Sequence, residues 1–142
     1  LGNASESECR KIYNYALELG LAFQLQDDWL DSFGTEEELG KKIGGDILEG
    51  KKTCLMQQAM SHATEEDREI LRTTYLDNTL SDDEKIARVK AVYERYDVSH
   101  AILRMISTRF ERAIAILDTL GLDSVRTEHL RIYAENLMNR KK

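Results

Sequence analysis

The stretch from Ser5 to Ser32 reads SESECRKIYNYALELGLAFQLQDDWLDS, with no proline and a single glycine at Gly20. Proline breaks helices and glycine weakens them, so a stretch this long without proline favours one continuous helix. Its start carries a capping box, because Ser5 is followed three residues later by Glu8. We therefore predict a long helix over residues 5–32.

The remainder of the chain shows the same preference, because its 142 residues include no proline at all. Average usage of about 5% would place roughly seven prolines in a chain of this length. Ser81 with Glu84 forms another capping box, and Thr64 with Asp67 resembles one. After a glycine-rich break at residues 34–50, helices are predicted over residues 51–63, 64–75, 81–96, 99–120 and 124–139. The predicted fold class is all-α.

One of these helices carries a clear buried stripe. Between residues 99 and 120 the apolar positions recur at intervals of three and four, at Ile102, Ile106, Phe110, Ala113, Leu117 and Leu120. This period matches one face of an α-helix packed on a core. Gly121 follows directly and is predicted to cap the helix at its C-terminus.

The composition indicates a single folded helical unit over residues 1–142. A hydrophobic share of 42% argues against intrinsic disorder, and a net charge of −6 argues against nucleic-acid binding through bulk electrostatics. No uninterrupted apolar run reaches the length of about 18 residues that a membrane span needs. Cys9 and Cys54 lack metal-site or redox spacing, which indicates free thiols in a reducing compartment and predicts a cytoplasmic location.

Oxygen-bearing side chains share one arc of the first helix, in the segment FQLQDDWLD at residues 23–31. With Asp27 at zero and about 100° per residue, Asp31 lies near 40°, Gln24 near 60° and Asp28 near 100°. Like charges at this spacing repel each other, and a bound divalent cation would offset that cost. Mg²⁺ prefers such hard oxygen ligands, together with water and phosphate oxygens. The alternative interpretation is a solvated acidic face.

A second chemical signal is the segment GKKIGGDILEGKKT at residues 40–53. Glycine-rich backbone can turn its N–H groups toward an anion, and lysine adds positive charge. Lys51 and Lys52 are predicted to lie at a helix start, where an arriving phosphate would explain their presence. The segment is not a Walker loop, since Lys52 stands where Ser or Thr is required. A flexible surface loop is the alternative, but both segments together suggest a diphosphate substrate.

These two segments, in this order, resemble the second aspartate-rich motif and the following lysine region of trans-isoprenyl diphosphate synthases. These are the polyprenyl synthetases, which include farnesyl and geranylgeranyl diphosphate synthases. The resemblance implies the C-terminal part of the helical isoprenoid synthase fold, usually a homodimer. It also implies a Mg²⁺-dependent prenyltransferase that joins an allylic diphosphate to isopentenyl diphosphate.

The resemblance also assigns roles to individual residues. Asp27 matches the principal Mg²⁺ ligand, with Asp28 and Asp31 in support, and Gln24 matches a catalytic glutamine beside the developing carbocation. The lysine that holds the allylic diphosphate matches Lys41 when counted from Gly40, and Lys42 when counted back from Asp46. Asp46 and Lys51 match later residues that support the metal and diphosphate site. The basic end, Arg140-Lys141-Lys142, resembles tails that close over the isopentenyl site, and a solvated tail is the favoured alternative.

Other parts of the family pattern are missing from these 142 residues. The first aspartate-rich motif is absent, and the other adjacent pair, Asp82-Asp83, lies in a helix-capping position. Members of the family are roughly twice this length, so we expect the C-terminal half of an enzyme, inactive by itself. Terpene cyclases, which share the fold, usually carry a different metal motif that this chain lacks. A non-catalytic regulatory subunit or helical interaction module is the remaining alternative, although such proteins usually lose the aspartates.

Overall fold

A computed structural model describes residues 5–139 of the chain, and within them the regular structure is entirely helical. The α-helices are α1 Glu6–Phe33, α2 Glu36–Leu39, α3 Gly45–Leu48, α4 Cys54–His62, α5 Glu65–Thr73, α6 Asp82–Arg95, α7 Val98–Asp118 and α8 Ser124–Met138, and a 3₁₀ turn covers Thr74–Leu76. The all-α prediction is confirmed. In the described part of the chain, no helix combines the length and apolarity needed to cross a bilayer.

Two of the predicted capping boxes form as the sequence indicates. The Ser5 hydroxyl accepts a hydrogen bond from the Glu8 N–H at 3.3 Å, and the Glu8 carboxylate accepts one from the Ser5 N–H at 2.7 Å. Ser81 and Glu84 make the same reciprocal pair at the start of α6. Each pair satisfies two backbone groups that a helix end would otherwise leave without partners.

At the start of α5, only half of the predicted box is present. Thr64 accepts a hydrogen bond from the Asp67 N–H, but the Asp67 carboxylate turns away toward α6. There it accepts a 2.7 Å hydrogen bond from the Tyr96 hydroxyl and pairs with Arg95. The hydrogen bonds from Arg95 and Tyr96 hold the pKa of this carboxyl below its usual value. Asp67 therefore fastens α5 to the end of α6.

The described residues fall into two compact units. Unit 1 comprises residues 5–26 and 105–139, and unit 2 comprises residues 27–104. The buried core of unit 1 consists of Tyr15, Leu19, Ala113, Leu117, Leu120 and Ala134. The main fully buried side chains of unit 2 are Leu55, Leu71, Val92, Tyr93, Val98 and Ile102. The apolar stripe predicted over residues 99–120 is buried except at Phe110, which is half-buried. The expectation that residues 1–142 form a single helical unit stays a prediction.

The structure corrects two predicted helix boundaries. Helix α4 begins at Cys54 and not at about Lys51, because the Thr53 hydroxyl accepts the Met56 N–H and so caps the helix. Helix α7 ends at Asp118, before the predicted end at Leu120. The N–H groups of Thr119 and Leu120 then donate i→i+3 hydrogen bonds to the carbonyls of Ile116 and Leu117. Gly121 is not a left-handed cap, since the described glycines with positive φ are Gly40, Gly44 and Gly50.

Candidate functional site

A cavity of about 430 Å³ in unit 2 gathers most of the residues singled out in the sequence. Its lining consists of Asp27, Asp28, Asp31, Gly40, Lys41, Asp46 and Lys51. The three aspartates come from the last turns of α1, and the other residues come from the segment between α2 and α4. The volume lies within the range of roughly 300–1,000 Å³ that small-molecule sites occupy.

Gly44 permits the turn that brings this segment back to α1. Its φ of 87° lies in the left-handed region, and a Cβ there would lie 2.6 Å from Cδ1 of Ile86. Its N–H donates a 2.7 Å hydrogen bond to the backbone carbonyl of Asp31. Only glycine meets both the conformational and the steric requirement.

Asp46 and Lys51 form a local pair at the cavity. The Lys51 Nζ lies 2.5 Å from Oδ1 of Asp46 and 3.3 Å from Oε2 of Glu49. Gly50 makes this return possible, because its φ is 64° and a Cβ would lie 2.6 Å from the Tyr75 ring. Hydrogen bonds to Asp46 and Glu49 raise the pKa of Lys51 to about 12, so its charge persists across the physiological range.

The three aspartates of α1 differ in their surroundings. The Asp27 side chain is exposed and makes no hydrogen bond or ion pair with another described residue. Asp28 is half-buried, and the nearby backbone N–H of Cys54, at the start of α4, favours its charged form. Burial, reinforced by the neighbouring Asp46 charge, raises the pKa of Asp28. Asp31 retains only 1% of its accessible surface.

Lys41 and Lys42, between which the sequence could not decide, contact different aspartates. The Lys41 Nζ lies 3.2 Å from Oδ1 of Asp31, and Lys41 lines the cavity. The Lys42 Nζ lies 3.7 Å from Oδ1 of Asp83, at the start of α6, and Lys42 does not line the cavity. Lys41, and not Lys42, therefore lies beside the aspartates of α1 in the cavity.

Other residues near the site were either assigned elsewhere or missed. Gln24 is exposed on α1 within unit 1, and its catalytic role stays a prediction. The predicted role of the basic segment 140–142 lies outside the described residues. Tyr93, which lies outside the two segments singled out in the sequence, is buried. Burial chiefly raises the pKa of Tyr93, and the charge of Asp46 adds to that rise.

The donor set bears on which metal the site could hold. Among residues 5–139, no three His, Cys, Asp or Glu side chains converge as a ready-made metal cage. Mg²⁺ does not need such a cage, because it commonly uses one or two carboxylates and keeps several waters or phosphate oxygens. Asp27, which is exposed, and Asp28, whose pKa is raised beside other carboxylates, fit that kind of binding.

Comparisons with known proteins identify relatives of this chain. The polyprenyl synthetase family profile matches residues 1–96. The chain is 39% identical over 119 residues to the short chain isoprenyl diphosphate synthase of Methanothermobacter thermautotrophicus, covering 78% of this chain and 35% of that protein. It is 36% identical over 117 residues to human farnesyl pyrophosphate synthase, covering 82% of this chain and 26% of that protein.

A solved structure extends the likeness to the fold. The geranylgeranyl pyrophosphate synthase of Corynebacterium glutamicum, complexed with isoprenyl diphosphate and magnesium, superposes with a TM-score of 0.83 at 27% identity. The match covers 96% of this chain and 39% of that one, and the two sequence relatives are likewise matched over 35% and 26% of their lengths. The chain belongs to the polyprenyl synthetase family.

Proposed function

We propose that this chain supplies one metal-binding helix and the diphosphate-binding lysines of a prenyltransferase. The reaction would join an allylic diphosphate to isopentenyl diphosphate. The observation that carries the proposal is the single cavity shared by carboxylates of α1 and by Lys41 and Lys51. Carboxylates suited to Mg²⁺ and lysines suited to phosphate oxygens line the same space, which is what a metal-bound diphosphate requires.

Asp27 and Asp28 are the proposed Mg²⁺-holding residues of this chain. Asp27 offers a carboxylate that has no competing cation among the described residues, and Asp28 adds a second one from the next position. When bound, Mg²⁺ would act as a Lewis acid on the departing diphosphate. The aspartates themselves fix the side of the cavity on which that group leaves.

Lys41 and Lys51 are the proposed contacts of the diphosphate oxygens. Lys51 keeps its charge because Asp46 and Glu49 stabilise the protonated form. Asp46 also restricts where the Lys51 ammonium group can lie, so the cation is in place before the substrate arrives. Gln24, exposed on α1, is proposed to place its amide oxygen near the carbon that becomes positive. The homodimer and the cytoplasmic location stay predictions.

The metal-binding part of this proposal can be tested on the 142-residue chain with Mn²⁺ in place of Mg²⁺. Mn²⁺ takes similar oxygen ligands, and its unpaired electrons broaden nearby amide NMR signals. With inorganic pyrophosphate present, we expect broadening centred on the amides of residues 27–31 and 40–51. Asp27→Asn should weaken the Mn²⁺ affinity by about tenfold or more, equivalent to at least about 1.4 kcal/mol.

Asp83→Asn provides the matched control, because Asp83 belongs to the other adjacent aspartate pair and lies outside the cavity lining. This variant should leave Mn²⁺ affinity unchanged. Equal effects of the Asp27 and Asp83 substitutions, or broadening centred on another part of the chain, would contradict the proposed metal site.

A further inference from the structure

Asp31 differs from the two aspartates before it in being closed to solvent. It keeps 1% of its accessible surface, and its Oδ1 is enclosed without a hydrogen bond from any described residue. Its Oδ2 already accepts the Asp46 N–H at 2.9 Å. A Mg²⁺ ion that keeps several waters needs an open carboxylate oxygen, and Asp31 presents none.

The same residue holds the glycine-rich segment at three points. Its backbone carbonyl accepts the Gly44 N–H at 2.7 Å, and its carboxylate accepts the Asp46 N–H. On the other side of the carboxylate, the Lys41 Nζ lies 3.2 Å from Oδ1. Gly45 completes the enclosure, since a Cβ at that position would lie 3.4 Å from the same oxygen.

These contacts pass from Asp31 to the proposed diphosphate lysines. Asp46 is anchored by its own N–H, and it then holds Lys51 through both main chain and side chain. The Lys51 N–H donates to the Asp46 carbonyl at 2.9 Å, and the Lys51 ammonium lies 2.5 Å from the Asp46 carboxylate. Lys41 is held directly. Both cations therefore depend on one buried carboxylate for their placement.

We propose that Asp31 is a positioning residue and not a metal ligand. Its buried carboxylate fixes the segment 40–51 against α1, and this sets where Lys41 and the Asp46–Lys51 pair lie at the cavity. The consequence for diphosphate binding rests on the proposed function, whereas the anchoring of the segment does not. This assignment departs from the sequence-based expectation that Asp31 supports the metal alongside Asp27 and Asp28.

Amide hydrogen exchange in the 142-residue chain tests the anchoring without any ligand. Asp31→Ala removes the acceptor of the Asp46 N–H, so this amide should exchange faster relative to the amide of Val92 in the core of unit 2. Asp31→Asn keeps an oxygen acceptor of the same shape and should restore the protection. Asp67→Ala is the matched control, because it removes another buried carboxylate of unit 2 that does not line the cavity. It should leave the ratio of Asp46 to Val92 exchange unchanged.

Mn²⁺ and inorganic pyrophosphate titrations separate positioning from metal binding. Asp31→Asn should keep the Mn²⁺ affinity within about twofold, whereas Asp27→Asn should lose about tenfold or more. At saturating Mn²⁺, Asp31→Ala should weaken pyrophosphate binding by about tenfold, and Asp31→Asn should not.

Two results would overturn the proposal. One is unchanged protection of the Asp46 amide in Asp31→Ala, and the other is a loss of Mn²⁺ affinity in Asp31→Asn as large as that in Asp27→Asn. A wild-type chain that binds neither Mn²⁺ nor pyrophosphate would instead contradict the proposed function. The exchange measurement would still decide whether Asp31 anchors the segment.

Discussion

At the scale of single residues, three aspartates of one motif occupy three different environments. Asp27 is open to solvent, Asp28 is half-buried beside the start of α4, and Asp31 is enclosed. Their helical spacing correctly placed all of them on the side of α1 that faces the cavity. Spacing could not reveal the burial of Asp31, because the segment that covers it begins several residues later in the chain.

Lys41 and Lys42 supply a prediction at the same scale. Lys41→Met should weaken Mn²⁺-dependent pyrophosphate binding by about tenfold, because it removes a cation from the cavity lining. Lys42→Met is the matched control, since its ammonium lies near the exposed Asp83. Lys42 does not line the cavity, so its loss should leave the affinity within about twofold.

Isothermal titration calorimetry with inorganic pyrophosphate at saturating Mn²⁺ would measure both variants. A larger loss in Lys42→Met than in Lys41→Met would show that the count back from Asp46 identifies the binding lysine. The sequence left these two counts equal because of the extra lysine. The contacts of the two side chains in the structure distinguish Lys41 from Lys42.

At the scale of elements, local signals predicted the long helices, whereas a tertiary contact fixes the start of the short helix α3. Helix α1 and the box at Ser81 depend on periodicity and caps within a few residues, and both formed as predicted. Helices α2 and α3 have four residues each, too short to show a hydrophobic period. Helix α3 begins where Asp31 accepts the Asp46 N–H, a partner fifteen residues away. No pattern within residues 40–53 could have indicated that contact.

Gly20 gives a prediction about α1 itself. This glycine lies inside the helix, is exposed, and would place an added Cβ with no atom within 4 Å. Gly20→Ala should therefore raise the free energy of unfolding by about 0.5–1 kcal/mol, because alanine loses less backbone entropy in a helix. Thermal unfolding followed by circular dichroism would measure the change.

Gly34→Ala is the matched control for Gly20→Ala. Gly34 directly follows α1, and a Cβ there would lie 2.8 Å from the Leu30 carbonyl oxygen and 2.9 Å from Leu30 Cδ2. This variant should lower the free energy of unfolding. A destabilised Gly20→Ala chain would mean that this face of α1 is already covered by another group.

At the scale of the whole molecule, the chain spans 35% and 26% of the two sequence relatives compared and 39% of the solved structure. The described residues carry one face of a proposed metal site, and no three-ligand metal cluster occurs among them. A metal-bound diphosphate in this proposal needs further carboxylates facing those of α1. The 142-residue chain is thus expected to bind metal and diphosphate weakly but not to catalyse prenyl transfer.

We accordingly expect no prenyl transfer from the purified 142-residue chain. Incubation with geranyl diphosphate, isopentenyl diphosphate and Mg²⁺, followed by mass spectrometry of the products, should yield no farnesyl diphosphate above a protein-free control. The same preparation should pass the Mn²⁺ broadening test, so that a negative result cannot be attributed to an unfolded site. Product formation that disappears in Asp27→Ala would prove the expectation wrong, because it would mean that α1 and the segment 40–51 suffice to release the diphosphate. Product that persists in Asp27→Ala would point to a contaminating synthase, since the proposed metal-holding carboxylate would then be irrelevant to the activity measured.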